Sequence, residues 1–273
     1  MEEKISFEGK VTTWREVELN PSTLIGRNWV YTTINTFAHK PLHLSVKLRY
    51  ALDSFKTLYG VRPNIDPRTL EKEIRELLYF GLYPEGGNTV TLHLIATQNG
   101  DAQRLILHEA TTPYDGYGLH TVRPRSIITN YDIPFEKHQT NVSLTSARFA
   151  DTYALSHGYE VALRANRNGV LTTSGDNPLF ALRGETLLMT PADKGARHSA
   201  EREAMVRLAE LSGVKVVEEE LRVEDVESYE ELMVFTPVGL QSIYSIGNIR
   251  LGNIYATLLA KSLATLSREG FAL

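Results

Sequence analysis

The sequence predicts an α+β fold in two domains. Three observations predict it. A chain of 273 residues with a hydrophobic fraction of 42% can bury two cores of ordinary size. Helix-like and strand-like patterns mix along the chain without the regular strand–helix–strand rhythm of a parallel α/β sheet. Between His157 and Arg207, three short apolar runs (Val161–Leu163, Leu179–Leu182 and Thr186–Met189) are punctuated by Asn168-Gly169 and Arg183-Gly184, then closed by Thr190-Pro191. Asn-Gly and Arg-Gly pairs between such runs mark tight turns where a residue takes positive φ.

Each element follows in order from its pattern. Ile5 to Val11 reads as a strand broken by a Glu8-Gly9 turn. Asn28 to Phe37 is rich in Tyr, Thr, Val and Ile, as half-buried strands are. Pro41 opens a helix to about Tyr59, with Leu44, Leu48, Leu52 and Phe55 on one face and Gly60 as its stop. Asp66 as cap and Pro67 in the first turn start another, whose buried stripe is Leu70, Ile74, Leu77 and Leu78. Val90, Leu92, Leu94 and Ala96 alternate with polar residues, predicting a strand with one wet face. Asn99-Gly100 turns it back into Gln103–Glu109, the clearest hairpin in the chain. Thr111 to Gly118 reads as a loop, and Val122 to Asn130 as extended.

Asn141 to His157 is predicted helical along Leu144, Ala147, Ala150 or Asp151, and Ala154, with Gly158 as its cap. Ser199 is an N-cap candidate for a helix over Ala200–Ser212, buried through Met205, Leu208 and Leu211. Val214–Val217, Leu232–Phe235 and Leu240–Ile246 read as strands, Glu224–Tyr229 as a helical turn, and Ile254–Leu266 as the last helix. The domain division is expected as a small N-terminal α/β domain over 1–126, a linker over 127–136, and a large C-terminal domain over 137–273.

Composition excludes several function classes. A formal net charge of -4 argues against a dedicated nucleic-acid binder. With no cysteine there is no disulfide framework, thiolate metal site or Cys nucleophile. The eight histidines show no ligand spacing, so no metal is expected. MEEKISFEGKV lacks the apolar core of a signal peptide, and no apolar run approaches the ~20 residues of a membrane span. A cytoplasmic protein is the expectation. Trp29, Tyr31 and Tyr114 to Tyr117 read as core aromatics or as the lining of a pocket.

The order of hairpins, Thr-Pro stop and helix start resembles the large domain of the fold-type IV pyridoxal-phosphate enzymes. These are the class IV aminotransferases for branched-chain and D-amino acids, and aminodeoxychorismate lyase. The resemblance implies a two-domain, D-amino-acid aminotransferase-like architecture. It further implies pyridoxal 5'-phosphate (PLP), transamination or amino-lyase chemistry on a small amino or keto acid, and a homodimer. Such chemistry needs a lysine to hold the aldehyde and move a proton. It needs a carboxylate to keep the pyridine nitrogen protonated, and an arginine with backbone amides for the phosphate.

Carried onto this chain, Lys137 in Lys-His-Gln-Thr-Asn matches the catalytic lysine. Reckoned back from Gly158 without a gap, Gln139 falls there instead. Thr173 stands at the pyridine glutamate, with Leu179-Phe180 keeping the end of that motif and Asp176 nearby. Tyr50 occupies the phosphate arginine's place beside Arg49, with Ser54 kept. Ser199-Ala200-Glu201-Arg202 stands at the phosphate-binding helix start, so Ala200, Glu201 and Arg202 are cofactor-binding candidates. Thr236 matches the late threonine contact, with Glu230 at the acidic position before it. The alternative is a member of the fold that has lost the cofactor and serves as a binding protein or carries out different chemistry.

Overall fold

Asn99-Gly100 turns β5 (Gly87–Ala96) back into β6 (Ala102–Thr112), and this hairpin forms the middle of the first sheet in the computed structural model, which describes residues 3–17, 24 and 26–271. β1 (Lys4–Phe7), β2 (Lys10–Thr13), β3 (Trp29–Phe37) and β4 (Lys40–Pro41) complete it in the order β2-β1-β6-β5-β3-β4, every pair antiparallel. The expected wet face of β5 is absent: Thr89, Thr91 and His93 are buried, like Val90, Leu92 and Leu94. Alternation alone does not separate Thr on an exposed face from Thr on a buried one.

Helix α1 (Leu44–Tyr59) starts three residues after Pro41, because Lys40-Pro41 is the short strand β4 and His43 takes φ 51° ahead of the first turn. Helix α2 (Pro67–Phe80) has the expected cap, with Asp66 Oδ2 accepting from the Thr69 amide at 2.9 Å. Both helices lay their apolar stripes on one face of the sheet, so Leu48, Phe55, Leu70 and Leu77 share a core with Val30, Ile34, Val90, Leu92 and Leu94.

The second sheet has twelve strands among the described residues. β7 (Gly118–Leu119), β8 (Arg125–Asn130), β9 (Val161–Ala165), β10 (Val170–Ser174) and β11 (Asn177–Arg183) are followed by β12 (Thr186–Met189), β13 (Lys215–Glu218) and β14 (Leu221–Arg222). β15 (Glu231–Thr236), β16 (Gly239–Ser242), β17 (Ser245–Ile246) and β18 (Ile249–Arg250) end it. The main path is β18-β17-β8-β9-β10-β11-β15-β16-β7; β12 and β13 branch from β11, and β14 from β10. The strand expected over Leu240–Ile246 is thus two, β16 and β17, broken at Ile243-Tyr244.

Thr190 explains the Thr-Pro stop. Its hydroxyl donates to Leu171 O at 2.8 Å and accepts from the Leu221 amide at 3.1 Å, tying β12's exit to β10 and β14. Helix α3 (Asn141–Ser156) buries Ala147, Ala150 and Ala154, and Asp151 Oδ1 accepts from the Ala162 amide at 2.9 Å. Helix α4 (Ala200–Leu211) is capped by Ser199 as expected. The last predicted helix is two, α5 (Ile254–Ala260) and α6 (Leu263–Gly270), separated by three-residue turns at Lys261 and Ser262.

The chain forms two compact units. One comprises 1–116, 139–141 and 267–273; the other comprises 117–138 and 142–266. The division falls earlier than the expected linker at 127–136, because β7 and β8 pair within the second sheet and carry their residues into it. Among the described residues, no helix is long and apolar enough to cross a membrane, and no cluster of His, Asp or Glu could hold a metal ion.

Candidate functional site

Asn166 sets the local geometry of the second unit. Its Oδ1 accepts from the amides of Asn168 at 3.0 Å and Val170 at 3.1 Å, and Gly169 follows at φ 72°. Asn makes such side-chain turns and Gly supplies the positive φ, so the chain returns as β10 in a defined register. That register, with a bulge after Leu171, sets Thr173 opposite Arg164 of β9. Directly opposed residues on antiparallel strands project to one face. Both are buried, Arg164 at 2% exposure and Thr173 at 4%.

Arg164 Nη2 donates to Glu136 Oε2 at 2.6 Å, and its guanidinium lies 5.9 Å from the Tyr131 ring centroid. Burial raises the Tyr131 phenol to about 12, against the opposing pull of Arg164. Arg164 Nε and Thr173 Oγ1 have no hydrogen-bond partner among the described residues. A second buried pair adjoins the first. Arg197 Nη1 lies 2.7 Å from Asp176 Oδ1, and Arg197 Nε donates to Glu136 O at 3.2 Å. Asp176 Oδ2 also accepts from Ser143 Oγ at 3.0 Å. The carboxylate nearest Thr173 in sequence is therefore committed to Arg197 and Ser143.

Lys137 follows Glu136 directly but is exposed. It lines a cavity of about 1010 Å³ with Asp132, Phe135, Asn166, Lys194 and Arg222. Thr173, Ala200, Glu201, Arg202 and Thr236 are not among the residues lining that cavity. Phe135 holds φ 58° at its rim. His138, the next residue along, is held below the ordinary imidazole range by burial, with Arg197 and Lys137 adding to the effect. Gln139 O accepts from the Tyr31 amide at 3.1 Å in the first unit.

The start of α4 is capped by Ser199, whose Oγ accepts from the Arg202 amide at 3.2 Å. The Arg202 guanidinium turns to Thr190 O at 2.7 Å and to Glu218 at 2.8 Å. Glu201 is buried, and its charge joins burial in holding the Tyr117 phenol well above its ordinary range. Thr236 Oγ1 donates to Gly239 O at 3.0 Å and accepts from the Val238 amide at 3.3 Å. With the hydroxyl proton spent, the 3.0 Å contact to His120 Nε2 assigns that nitrogen as the donor. Burial lowers the His120 pKa, so its ring is neutral at neutral pH. Glu230 Oε1 accepts from the Gly184 amide at 3.1 Å in a turn. In the first unit Tyr50 is half-buried on α1, with the Arg49 guanidinium 4.9 Å from its ring centroid.

The profile of the amino-transferase class IV family matches residues 29–246. The chain belongs to that family. Its fold is similar to that of the branched-chain aminotransferase of Thermoproteus uzoniensis, at 16% identity and a TM-score of 0.82, over 99% of this chain and 95% of that one. An aminotransferase of Mycobacterium tuberculosis, described as hypothetical and solved with alpha-ketoglutarate and PMP, gives 12% and 0.80 over 97% and 98%. A candidate 4-amino-4-deoxychorismate lyase of Legionella pneumophila gives 16% and 0.74 over 87% and 91%. No curated protein matches the sequence. The α+β class IV fold and an aminotransferase-like character agree with the resemblance in the sequence.

PLP is the usual cofactor of class IV proteins, and this chain's residues do not fit it. The lysine that matches the aldehyde-bearing position, Lys137, is exposed on a cavity that Thr173, Ala200, Glu201, Arg202 and Thr236 do not line. Thr173 cannot supply the carboxylate, and the side chain opposite it is a permanent cation. At the α4 start a buried carboxylate, Glu201, accompanies the amides, while the Arg202 guanidinium is spent elsewhere. Arg164, Arg197 and Glu136 escaped the sequence reading. Arg164 had a signal, a lone charge inside the apolar run Val-Ala-Leu-Arg-Ala; Arg197 and Glu136 sit in loops and had none.

Proposed function

We propose that this class IV, aminotransferase-like chain acts on a small amino or keto acid, in the manner of an aminotransferase or amino-lyase. The observation that carries the reading is the family match over 29–246. What else supports it is the retained large-unit layout of paired hairpins, Thr190 stop and Ser199-capped helix. Transaminase and lyase share their first steps and are not separated by it.

PLP is the cofactor usual in the family. When bound, it supplies an electron sink for the substrate's Cα. Lys137 is the chain's candidate to carry it, with Tyr50, Thr173, Ala200, Glu201, Arg202 and Thr236 as its candidate contacts. No step is assigned through it. A homodimer in the cytoplasm completes the proposal, with neither nucleic acid nor membrane as partner. Isothermal titration of the full chain with L-glutamate and with 2-oxoglutarate, then with a branched-chain amino acid and its keto acid, tests the reading. Saturable heat from any of the four supports it, and flat traces from all four sink it.

A further inference from the structure

We infer that this chain works without a lysine-bound pyridoxal phosphate, and that buried ion pairs of its own close the floor on which the pyridine ring would rest. The inference rests on the amino- or keto-acid recognition in the reading above and, by removing the cofactor, withdraws the transaminase or lyase step from it. Three separate observations carry it, one for each end of the cofactor and one for its anchor.

The anchor is the first. An internal aldimine needs an amine that shares a cleft with the ring and phosphate contacts, shielded from water. Lys137 is exposed, and the cavity it lines is bounded by the Asn166–Asn168 turn, Lys194 and Arg222. None of Thr173, Ala200, Glu201, Arg202 or Thr236 borders it.

The floor is the second. The family's glutamate is Thr173 here, and the residue in register with it is Arg164. A guanidinium keeps its charge at any pH a protein survives, so it disfavours a second cation, the pyridinium, beside it. An ionisable group could have adapted; this one cannot. The neighbouring carboxylates are already committed, Glu136 to Arg164 at 2.6 Å and Asp176 to Arg197 at 2.7 Å. Recruiting either one to a ring nitrogen would strand a buried arginine.

The phosphate end is the third. Helix starts attract anions through their amides and dipole. At α4 that attraction meets the buried Glu201, which raises the cost of a nearby phosphate. The nearest arginine in sequence, Arg202, points to Thr190 O and Glu218. The changes at all three places run the same way, toward excluding a phosphorylated pyridine.

The experiment titrates the purified chain with PLP, beside the Mycobacterium tuberculosis aminotransferase solved with PMP as positive control. Absorbance is read near ~410–420 nm, where protein-bound pyridoxal aldimines absorb. Borohydride reduction and peptide mass mapping then locate any trapped pyridoxyl group. The expected result is no saturable band, identical spectra for wild type and Lys137→Ala, and trapping at Lys137 no greater than at other exposed lysines. A stoichiometric band that Lys137→Ala abolishes overturns the inference. So does a band that survives Lys137→Ala, since another lysine then carries the cofactor. Because Lys137 is exposed, the variant should keep the wild-type melting temperature, and this is checked in parallel. Titration with L-glutamate and 2-oxoglutarate on PLP-free protein separates the two readings. Binding without a band supports both. No binding and no band leaves the cofactor inference standing and removes the amino- or keto-acid reading.

Discussion

Arg164 and Arg197 are the residues with most at stake. Each is almost fully buried, and each charge is balanced by one carboxylate. Removing one partner of a buried pair leaves the other charge uncompensated, at about 3–5 kcal/mol. Asp176→Asn should therefore lower stability by about that much in a urea titration. A loss under ~1 kcal/mol, typical of surface pairs, would mean that Arg197 is solvated. His120 makes a pH prediction. Its folded pKa is depressed by burial, and its unfolded pKa is about 6.5. As pH falls below about 6.5 the unfolded state takes up a proton that the folded state resists, so stability drops until the depressed folded value is passed. His120→Asn should flatten that part of the stability–pH curve; an unchanged slope would show that the ring titrates freely. At this scale the sequence was only partly legible. The Ser199 cap could be read from pattern, whereas Glu136 and Arg197 lie in loops and meet only after folding.

At the scale of elements, caps and turns carry the predictions. Ser199 satisfies the Arg202 amide at the start of α4, and replacing a serine N-cap with alanine costs about 1 kcal/mol. Ser199→Ala should show this by chemical denaturation. A neutral result would mean that neighbouring groups take over the cap. Gly239 is stricter. A Cβ built there would lie 2.0 Å from Gly118 O, across the parallel pairing of β16 with β7. Overpacking of this kind costs about 1–3 kcal/mol, and here the obstacle is backbone, which has no rotamer to change. Gly239→Ala should lie at or beyond the upper end of that range by thermal melting; a wild-type melting temperature would refute the close approach. Helix caps at Asp66 and Ser199, the Asn99-Gly100 hairpin and the Thr190 stop were legible because each rests on chemistry within a few residues. Strand β10 was not. Val-Leu-Thr-Thr-Ser has too few large apolar residues to stand out, and it is a strand because β9, β11 and β14 pair with it.

For the whole molecule, two units with separate cores follow from two sheets that share no strand. Phe55 is fully buried in the first core, and truncating a buried phenylalanine to alanine costs about 3–5 kcal/mol. Calorimetry of Phe55→Ala should show a loss of that order, and a smaller one would mean that the site collapses around the gap. The sequence by itself determined the elements, their caps, the mixture of helix and sheet, and the family whose layout they follow. Those features depend on periodicity and on turn chemistry, which act over a few residues. Only the tertiary structure decided where Lys137 sits, which arginine faces Thr173, and which carboxylates are already paired. Charges far apart in the chain acquire an environment only when strands register and loops close. Whether a set of family positions still forms a cofactor site is therefore a property of the folded chain.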